Sequence, residues 1–425
     1  MAMLAGASGA AEEPGNFDAH YQSTYVWQTK RPFQAAYSGP NSLSPVHEKS
    51  YSFTATAALG FRPWRDGEIY FNPELSQGVP LSGLTGLGGF SNGEIARTAG
   101  PTPKLYRARL FMRQTWGYGG GNDLVESDFN QLAGAADRRR LVLTAGNLSV
   151  LDIFDGNQYS HDPRTQFMNW SLMTHGAYDY AADSRGYSWG LALEYFHDDW
   201  AVRAGRFIQP REPNQQKLDP AISRHYGDQL ELERAYSIGG RVGTVRLLAF
   251  RNRANMAEYR DALNLAAQVG GVPALSGVRG DKVKRGLGLS VEQGVTENIG
   301  MFGRVSRSDG RTETYAFTEI DNSASAGAVI KGASWGRAED TFGIAVARNG
   351  LSREHRDYLA AGGIAFFLGD GNLNYAMEAV VEAFYSLKVV KGGWISFDLQ
   401  RIRNPGYNAD RGPAKLGAIR LHWEF

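Results

Sequence analysis

Along Tyr51–Phe61 the side chains change polarity at every residue: Tyr51, Phe53, Ala55, Ala57, Leu59 and Phe61 fall on one face, with Ser52, Thr54 and Thr56 on the other. A period of two is the strand period, so this segment is a strand with one oily and one hydroxyl-rich side. The pattern recurs at 373–386, where Tyr375, Met377, Ala379, Val381, Ala383 and Tyr385 oppose Asn374, Glu378 and Glu382. Aromatic rings at both ends of an apolar band suit the two headgroup levels of a bilayer.

The same reading yields candidate strands at 21–29, 51–61, 66–75, 104–116, 139–147, 187–197, 199–207 and 229–238. The series continues at 241–251, 283–293, 297–307, 326–335, 340–349, 373–386, 391–402 and 414–425. The connections after even-numbered strands are mostly short, as at 62–67, 198–199, 239–240 and around Gly294. Those after odd-numbered strands are mostly long, as at 30–50, 76–103, 148–186, 252–282 and 350–372. Short periplasmic turns alternating with long external loops are how outer-membrane barrels are built. One connection departs from the rule: 117–138 is long on the short side and is expected to hold a small helix. The expected fold class is therefore all-β, a transmembrane antiparallel β-barrel of about 16 strands with both termini on one side.

Length and composition narrow the alternatives. The 425 residues exceed one ordinary domain of ~100–200 residues, and no linker divides them. A spanning helix needs ~20 mostly apolar residues, whereas the nearest uncharged stretch, 262–278, is broken by Asn264, Gln268, Gly270, Gly271 and Pro273. Residues 1–11 read as a signal-peptide remnant or tag, with the mature start near Ala11 or Glu12, and 12–425 as a single barrel domain. With no cysteine there is no disulfide, thiolate metal site or cysteine nucleophile. A formal charge of +1 gives no field for nucleic acid. The eight histidines lack metal-ligand spacing, so neither a metal nor a cofactor is expected. Gly332, Ser334 and Gly336 match G-x-S-x-G, but they end a barrel strand rather than turn from a strand into a helix, and no catalytic residue is assigned.

The C-terminus is the sharpest local signal. Ile419, Leu421, Trp423 and Phe425 alternate with Arg420, His422 and Glu424, and the sequence ends on Phe425. A terminal Phe with apolar residues at alternate positions resembles the signal that bacterial barrels present to their assembly machinery.

Longer stretches resemble the OprB family of carbohydrate-selective porins. They are YAFTEID at 315–321, WGRAEDTFGIAVARNGLS at 335–352, HRDYLAAGGIAFFLGD at 355–370, the Glu378 and Glu382 pair, and DLQRIRNPGYNADRGPAKLGAIRLHWEF to the end. GNLSVLDIFDGNQYSHDPRTQFMN at 146–169 and FNPELSQGVPLSGLTGLGGFSNGEIAR at 71–97 add to the resemblance, which covers more than half the chain in order; the first 50 residues match less clearly. It implies a water-filled lumen that passes monosaccharides and similar small polar solutes down their gradient. The partners implied are sugars inside, outer-membrane lipid and lipopolysaccharide outside, the barrel assembly machinery at Phe425 and, as an open alternative to a monomer, a homotrimer.

Charged strand faces give the lumen candidates. Arg107, Arg109 and Arg113 share a face opposite Tyr106, Leu110 and Met112, and hydrocarbon would charge ~2–4 kcal/mol for each guanidinium at mid-depth. Glu231 and Glu233 oppose Leu230 and Leu232, and Glu378, Glu382 and Asp398 are inward by the same test. Both signs of charge can hold neutral, hydroxyl-rich sugars through charge-assisted hydrogen bonds, or they can simply pair to brace the wall. The connection 148–186 stands where general porins fold a loop inward, and it carries Asp152, Asp155, Asn157, His161, Arg164 and Trp170. A constriction is expected there, with Trp170 either a stacking platform or an anchor for the loop. The spacing of Met256, Tyr259 and Leu263 suggests a short helix in 255–268, at a lid or rim. Three other readings stay open: a general pore, a barrel sealed by its loops, and a barrel enzyme with a rim serine and His175 or His422 as base.

Overall fold

Alternating polarity folds here into one closed sheet. The computed structural model describes residues 15–95 and 100–425, so the expected leader remnant lies outside the described residues. In chain order the strands are β1 (Phe17–Lys30), β2 (Glu48–Trp64), β3 (Gly67–Val79), β4 (Gly100–Gly117), β5 (Asn122–Val125), β6 (Gly134–Asp137), β7 (Arg140–Leu148), β8 (Ser188–His197) and β9 (Trp200–Ile208). They continue as β10 (Tyr226–Ile238), β11 (Arg241–Met256), β12 (Gly280–Gly294), β13 (Ile299–Ser308), β14 (Asn322–Lys331), β15 (Thr341–Gly350), β16 (Glu378–Val390), β17 (Gly393–Arg403) and β18 (Ala414–Glu424). All but β5 and β6 form a barrel in which each strand pairs antiparallel with its chain neighbours and β18 closes on β1. The seam is tight at its periplasmic end, where Tyr21 and Phe425 exchange both backbone hydrogen bonds, at 3.0 and 2.9 Å. A closed sheet leaves no unpaired edge in the bilayer, which is why strands can cross it. No helix among the described residues is long and apolar enough to span a membrane.

The wall is sorted by side-chain parity. In β2 the row Ser50, Ser52, Thr54 and Thr56 is buried inside, while Tyr51, Phe53 and Phe61 face out. Outward Leu230, Leu247, Leu287, Val305, Val346 and Leu399 continue the apolar belt around the barrel. At the two-residue turn between β10 and β11, Gly239 and Gly240 take φ of 58° and 74°, which side chains resist and tight hairpins require.

Three local expectations change. Segment 117–138 holds no helix: β5 and β6 pair as a small hairpin, and the turn between them packs inside the periplasmic ends of β1 to β4. There Tyr70 Oη accepts from the Leu132 backbone N–H at 3.1 Å, and Arg113 donates to the Asn130 carbonyl at 3.1 Å. Alternation mimics a strand before β16 begins, so Tyr375 and Met377 lie in the preceding loop. The strand expected at 326–335 runs at Asn322–Lys331, followed by a 3-10 turn at Gly332–Trp335 that, with its cap Gly336, makes up the G-x-S-x-G match. The expected loop helix forms as α2 (Tyr259–Val269), packed beside α3 (Arg353–Ala360) among buried residues including Tyr358 and Leu359.

Candidate functional site

The lumen is filled largely by the connection between β7 and β8. From Val150 to Ala182 most side chains are buried, including Phe154, Phe167 and Leu172, although this is a connecting loop. Its backbone polar groups must be satisfied there, and the inner wall does so. Arg304 of β13 donates to Ser160 O at 2.6 Å, Leu172 O at 2.8 Å and Asp155 Oδ1 at 3.1 Å. Arg420 of β18 donates to Pro163 O at 2.6 Å and Gln166 O at 2.9 Å. Glu382 of β16 accepts the N–H groups of Met168 at 2.5 Å and Asn169 at 2.9 Å. A four-residue helix, α1 (Trp170–Met173), follows, capped by the Asn169 side chain.

This packing explains the inward carboxylates. Glu378 accepts from Gly88 N at 3.2 Å and Gly406 N at 2.9 Å, so it holds two other loops. Glu231 accepts the Asp155 N–H at 2.7 Å and takes Arg203 at 2.9 Å. Glu233 bridges Arg203 at 3.0 Å and Arg246 at 2.7 Å. Asp398 accepts from Gln400 at 3.2 Å. All five point inward, yet they brace wall and loops rather than line an open path. Asp155 is equally enclosed: burial pushes its carboxyl up, and Arg304, His175 and the Thr174 hydroxyl outweigh that, taking it down to about 2. Asn157 is likewise a turn residue, accepting the N–H groups of Tyr159 and Ser160 at 2.9 and 3.1 Å.

The open space lies on the other side, between this inward loop and the wall of β2 to β4. It is a cavity of about 250 Å³ lined by Thr54, Glu74, Glu94, Tyr106, Arg109, Asp152, His161, Arg164, Trp170, Tyr187 and Phe317, among others. Arg109 grips Asp152 with two bonds, Nε–Oδ2 at 2.7 Å and Nη2–Oδ1 at 2.6 Å, and stacks over Tyr187 at 5.2 Å. In the same cavity, Arg164 donates to Glu94 at 2.9 Å and lies 3.7 Å from Glu74, which also accepts the hydroxyls of Thr56 at 2.7 Å and of Tyr106. Burial pushes the Glu94 carboxyl up against the pull of Arg164 and the Thr54 hydroxyl, and burial lowers His161. Trp170 and Phe317 stack at 4.9 Å and present an apolar wall. The cavity is thus a small chamber of donors and acceptors facing aromatic rings.

The arginine row divides. Arg109 and Arg113 point inward, Arg113 toward the periplasmic side with Glu68 at 3.7 Å. Arg107 does not: Asn72 pairs with Arg109 but Pro73 pairs with Arg107, so Ala108 is an extra residue bulged out of the ladder. Above such a bulge every side chain changes face. Arg107 therefore lies exposed on the outer wall, its guanidinium 5.1 Å over outward Trp189, and Tyr106, expected outside, enters the lumen. Pro73, which has no N–H for the ladder, is the sequence mark of the bulge. The parity test applied to Glu378 would also have found Glu74, two residues from buried Asn72 and Ser76. Glu94 and Phe317 come from loops without periodicity, and no sequence signal points to them.

A family model described as carbohydrate-selective porin, OprB family, matches residues 41–425. The chain belongs to the OprB family. It is a sugar-selective channel of the bacterial outer membrane. The structure of Pseudomonas putida OprB at high pH is 17% identical, covers 96% of this chain and 94% of its own, and superposes with a TM-score of 0.74. Pseudomonas aeruginosa OccK2 (OpdF) is 11% identical, covering 96% and 98%, with a TM-score of 0.46. No curated protein matches the sequence. For this OprB-family barrel, the solved structures bear on the fold alone.

Proposed function

We propose that monosaccharides and similar small neutral solutes cross through the chamber between the inward loop and β2 to β4, and that Arg109, Asp152, Glu74, Glu94 and Arg164 select them. The observation that carries this reading is that the bidentate Arg109–Asp152 pair and the Arg164–Glu94 pair line one chamber of about 250 Å³. Paired opposite charges leave little net field for an ion, yet they offer strong donors and acceptors to hydroxyls. The volume falls below the ~300–1,000 Å³ of pockets that hold drug-sized ligands, which suits a single sugar ring. Trp170 backed by Phe317 supplies a flat apolar face for such a ring. Arg113, lower on the same wall, is the next donor on the way out.

In planar bilayers, glucose or a related sugar should reduce the channel's conductance. Arg109→Ala should weaken that block at least severalfold, whereas Leu110→Ala, on the outer face, should not. Equal effects of the two substitutions would refute the chamber as the selective element. Transport without catalysis belongs to the same reading, since the family matched is one of porins.

Assembly follows from the outer wall. Phe425, exposed at the periplasmic end of β18, is offered as the contact for the barrel assembly machinery, and lipopolysaccharide as the outer-leaflet neighbour. A homotrimer is the assembly offered with this reading. Its mass in detergent tests this.

A further inference from the structure

The outer wall carries basic side chains where the apolar belt ends, and they have almost no counter-charge. Arg251 of β11 pairs directly across the ladder with Arg285 of β12, and Arg401 of β17 with Lys415 of β18. Like charges set opposite one another destabilise a sheet. Between these pairs stand Arg307 on β13 and Arg348 on β15, and Arg403 lies two residues above Arg401 on β17, all outward and exposed. Each caps an apolar row: Leu287 below Arg285, Val305 below Arg307, Val346 below Arg348, Leu399 below Arg401.

These residues form a level arc. Pairing rows slope around the barrel: the row from Lys30, at the external end of β1, passes through Leu416, Gln400, Glu382, Ala345, Gly327, Phe302, Glu292 and Thr244 to Ala235, near the periplasmic end of β10. Going from β11 to β18 the rows therefore climb, and the basic positions step down them by two residues at a time, which keeps them at one height. That height is the external boundary of the hydrocarbon.

The nearby acids are already engaged. Asp228, opposite Arg251, is held by Arg206 at 2.6 Å, and Asp309 accepts the backbone N–H groups of Arg285 at 2.9 Å and Arg311 at 3.3 Å. Among the described residues Arg251 donates to the Tyr226 hydroxyl, at 2.7 Å, and lies over that ring. Arg307, Arg348, Arg401, Arg403 and Lys415 make no ion pair among the described residues. The tier above contrasts with this, since Arg224 and Arg253 both reach Asp281, at 3.0 and 3.5 Å.

We infer that the arc from Arg251 to Lys415 binds the phosphate groups of an anionic outer-leaflet lipid whose acyl chains lie on the apolar rows beneath. A guanidinium presents a planar donor fork that matches a phosphate, and a phosphate between Arg251 and Arg285 turns a repulsive pair into a bridge. Acyl chains against the rows below fix the headgroup at this height, which a free anion would not do. The arc is on the opposite side of the wall from the sugar chamber and is independent of it.

The test is native mass spectrometry of the full-length barrel in detergent, titrated with a bis-phosphorylated hexa-acyl diglucosamine lipid, its dephosphorylated form, or phosphatidylcholine. The wild type should retain the phosphorylated lipid at least tenfold more than the other two, with retention falling as salt rises. Arg251→Gln/Arg285→Gln/Arg307→Gln/Arg348→Gln should lose that preference while keeping sugar block of conductance. Arg224→Gln/Arg253→Gln, in the self-paired tier, should keep both. Wild-type retention indifferent to phosphate would overturn the inference whether or not the quadruple variant folds, and so would a quadruple variant that folds and retains the preference. Displacement of the bound lipid by inorganic phosphate alone would overturn the lipid as occupant.

Discussion

Replacing Arg304 by Met removes the most connected anchor of the inward loop. Arg304 is buried and makes three contacts with that loop: Asp155, Leu172 O and Ser160 O. Met matches much of the side-chain volume but leaves the Asp155 carboxylate without its cation and two carbonyls without that donor. Breaking a buried, hydrogen-bonded ion pair by deleting one partner costs ~3–5 kcal/mol. Asp155 would then recover some of that loss by taking a proton, because its carboxyl is held near 2 chiefly against burial by Arg304. The barrel wall should survive, since its closure rests on backbone ladders in which the Arg304 side chain takes no part, and the barrel should still resist unfolding in detergent. The loop should not stay fixed. Single-channel records should show higher mean conductance with open-channel noise, and sugar block should weaken at least fivefold. Unchanged conductance and unchanged block in a correctly folded Arg304→Met barrel would refute the claim that this anchor sets the chamber.

Acidification should act on the same loop through His175. Burial lowers its imidazole from the ordinary 6.5 to about 4, so the unlocked loop binds a proton that the packed loop excludes; packing is strongest above pH 6.5 and is lost as pH falls toward 4, by about 3 kcal/mol in all. Conductance noise recorded from pH 7 to pH 4 should rise in the wild type and stay level in His175→Gln; a level wild-type trace contradicts the packing. Replacing 119–137 by a two-residue turn should leave a folded barrel with raised conductance, because the 126–133 turn leans on Tyr70 and Arg113 inside the periplasmic mouth. An unchanged conductance would place the turn off the solute path. Substituting Glu382→Ala orphans the buried N–H groups of Met168 and Asn169, about 1–3 kcal/mol each, and should raise the amide exchange of 160–175 without altering that of the wall.

Much of this was legible in the sequence because a barrel wall obeys a local rule. Parity alone located all sixteen barrel strands, most within a few residues, and turned Glu231, Glu233, Glu378, Glu382 and Asp398 inward. The rule fails where the ladder slips: Ala108 inserts one residue, and Arg107 and Tyr106 exchange faces above it. Pro73 signalled that slip in the sequence. It also over-extends, since the alternation from Tyr375 to Met377 continues into a loop that happens to share the pattern. What fills the lumen is not a local property at all. Whether an inward carboxylate meets water or a loop N–H depends on chain more than 200 residues away in the case of Glu382, and no period carries that information. The chamber is therefore only half visible from sequence, with Arg109, Asp152 and Trp170 marked and Glu94 and Phe317 not.

The most direct measurement is the conductance of the single purified channel in a planar bilayer while a neutral monosaccharide is titrated against wild type, Arg109→Ala and Asp152→Asn. The wild type should show saturable block, with both substitutions moving the half-blocking concentration upward by a similar factor, since they break one bidentate pair. Block that is absent in the wild type, or untouched by either substitution, would contradict sugar selection in this chamber.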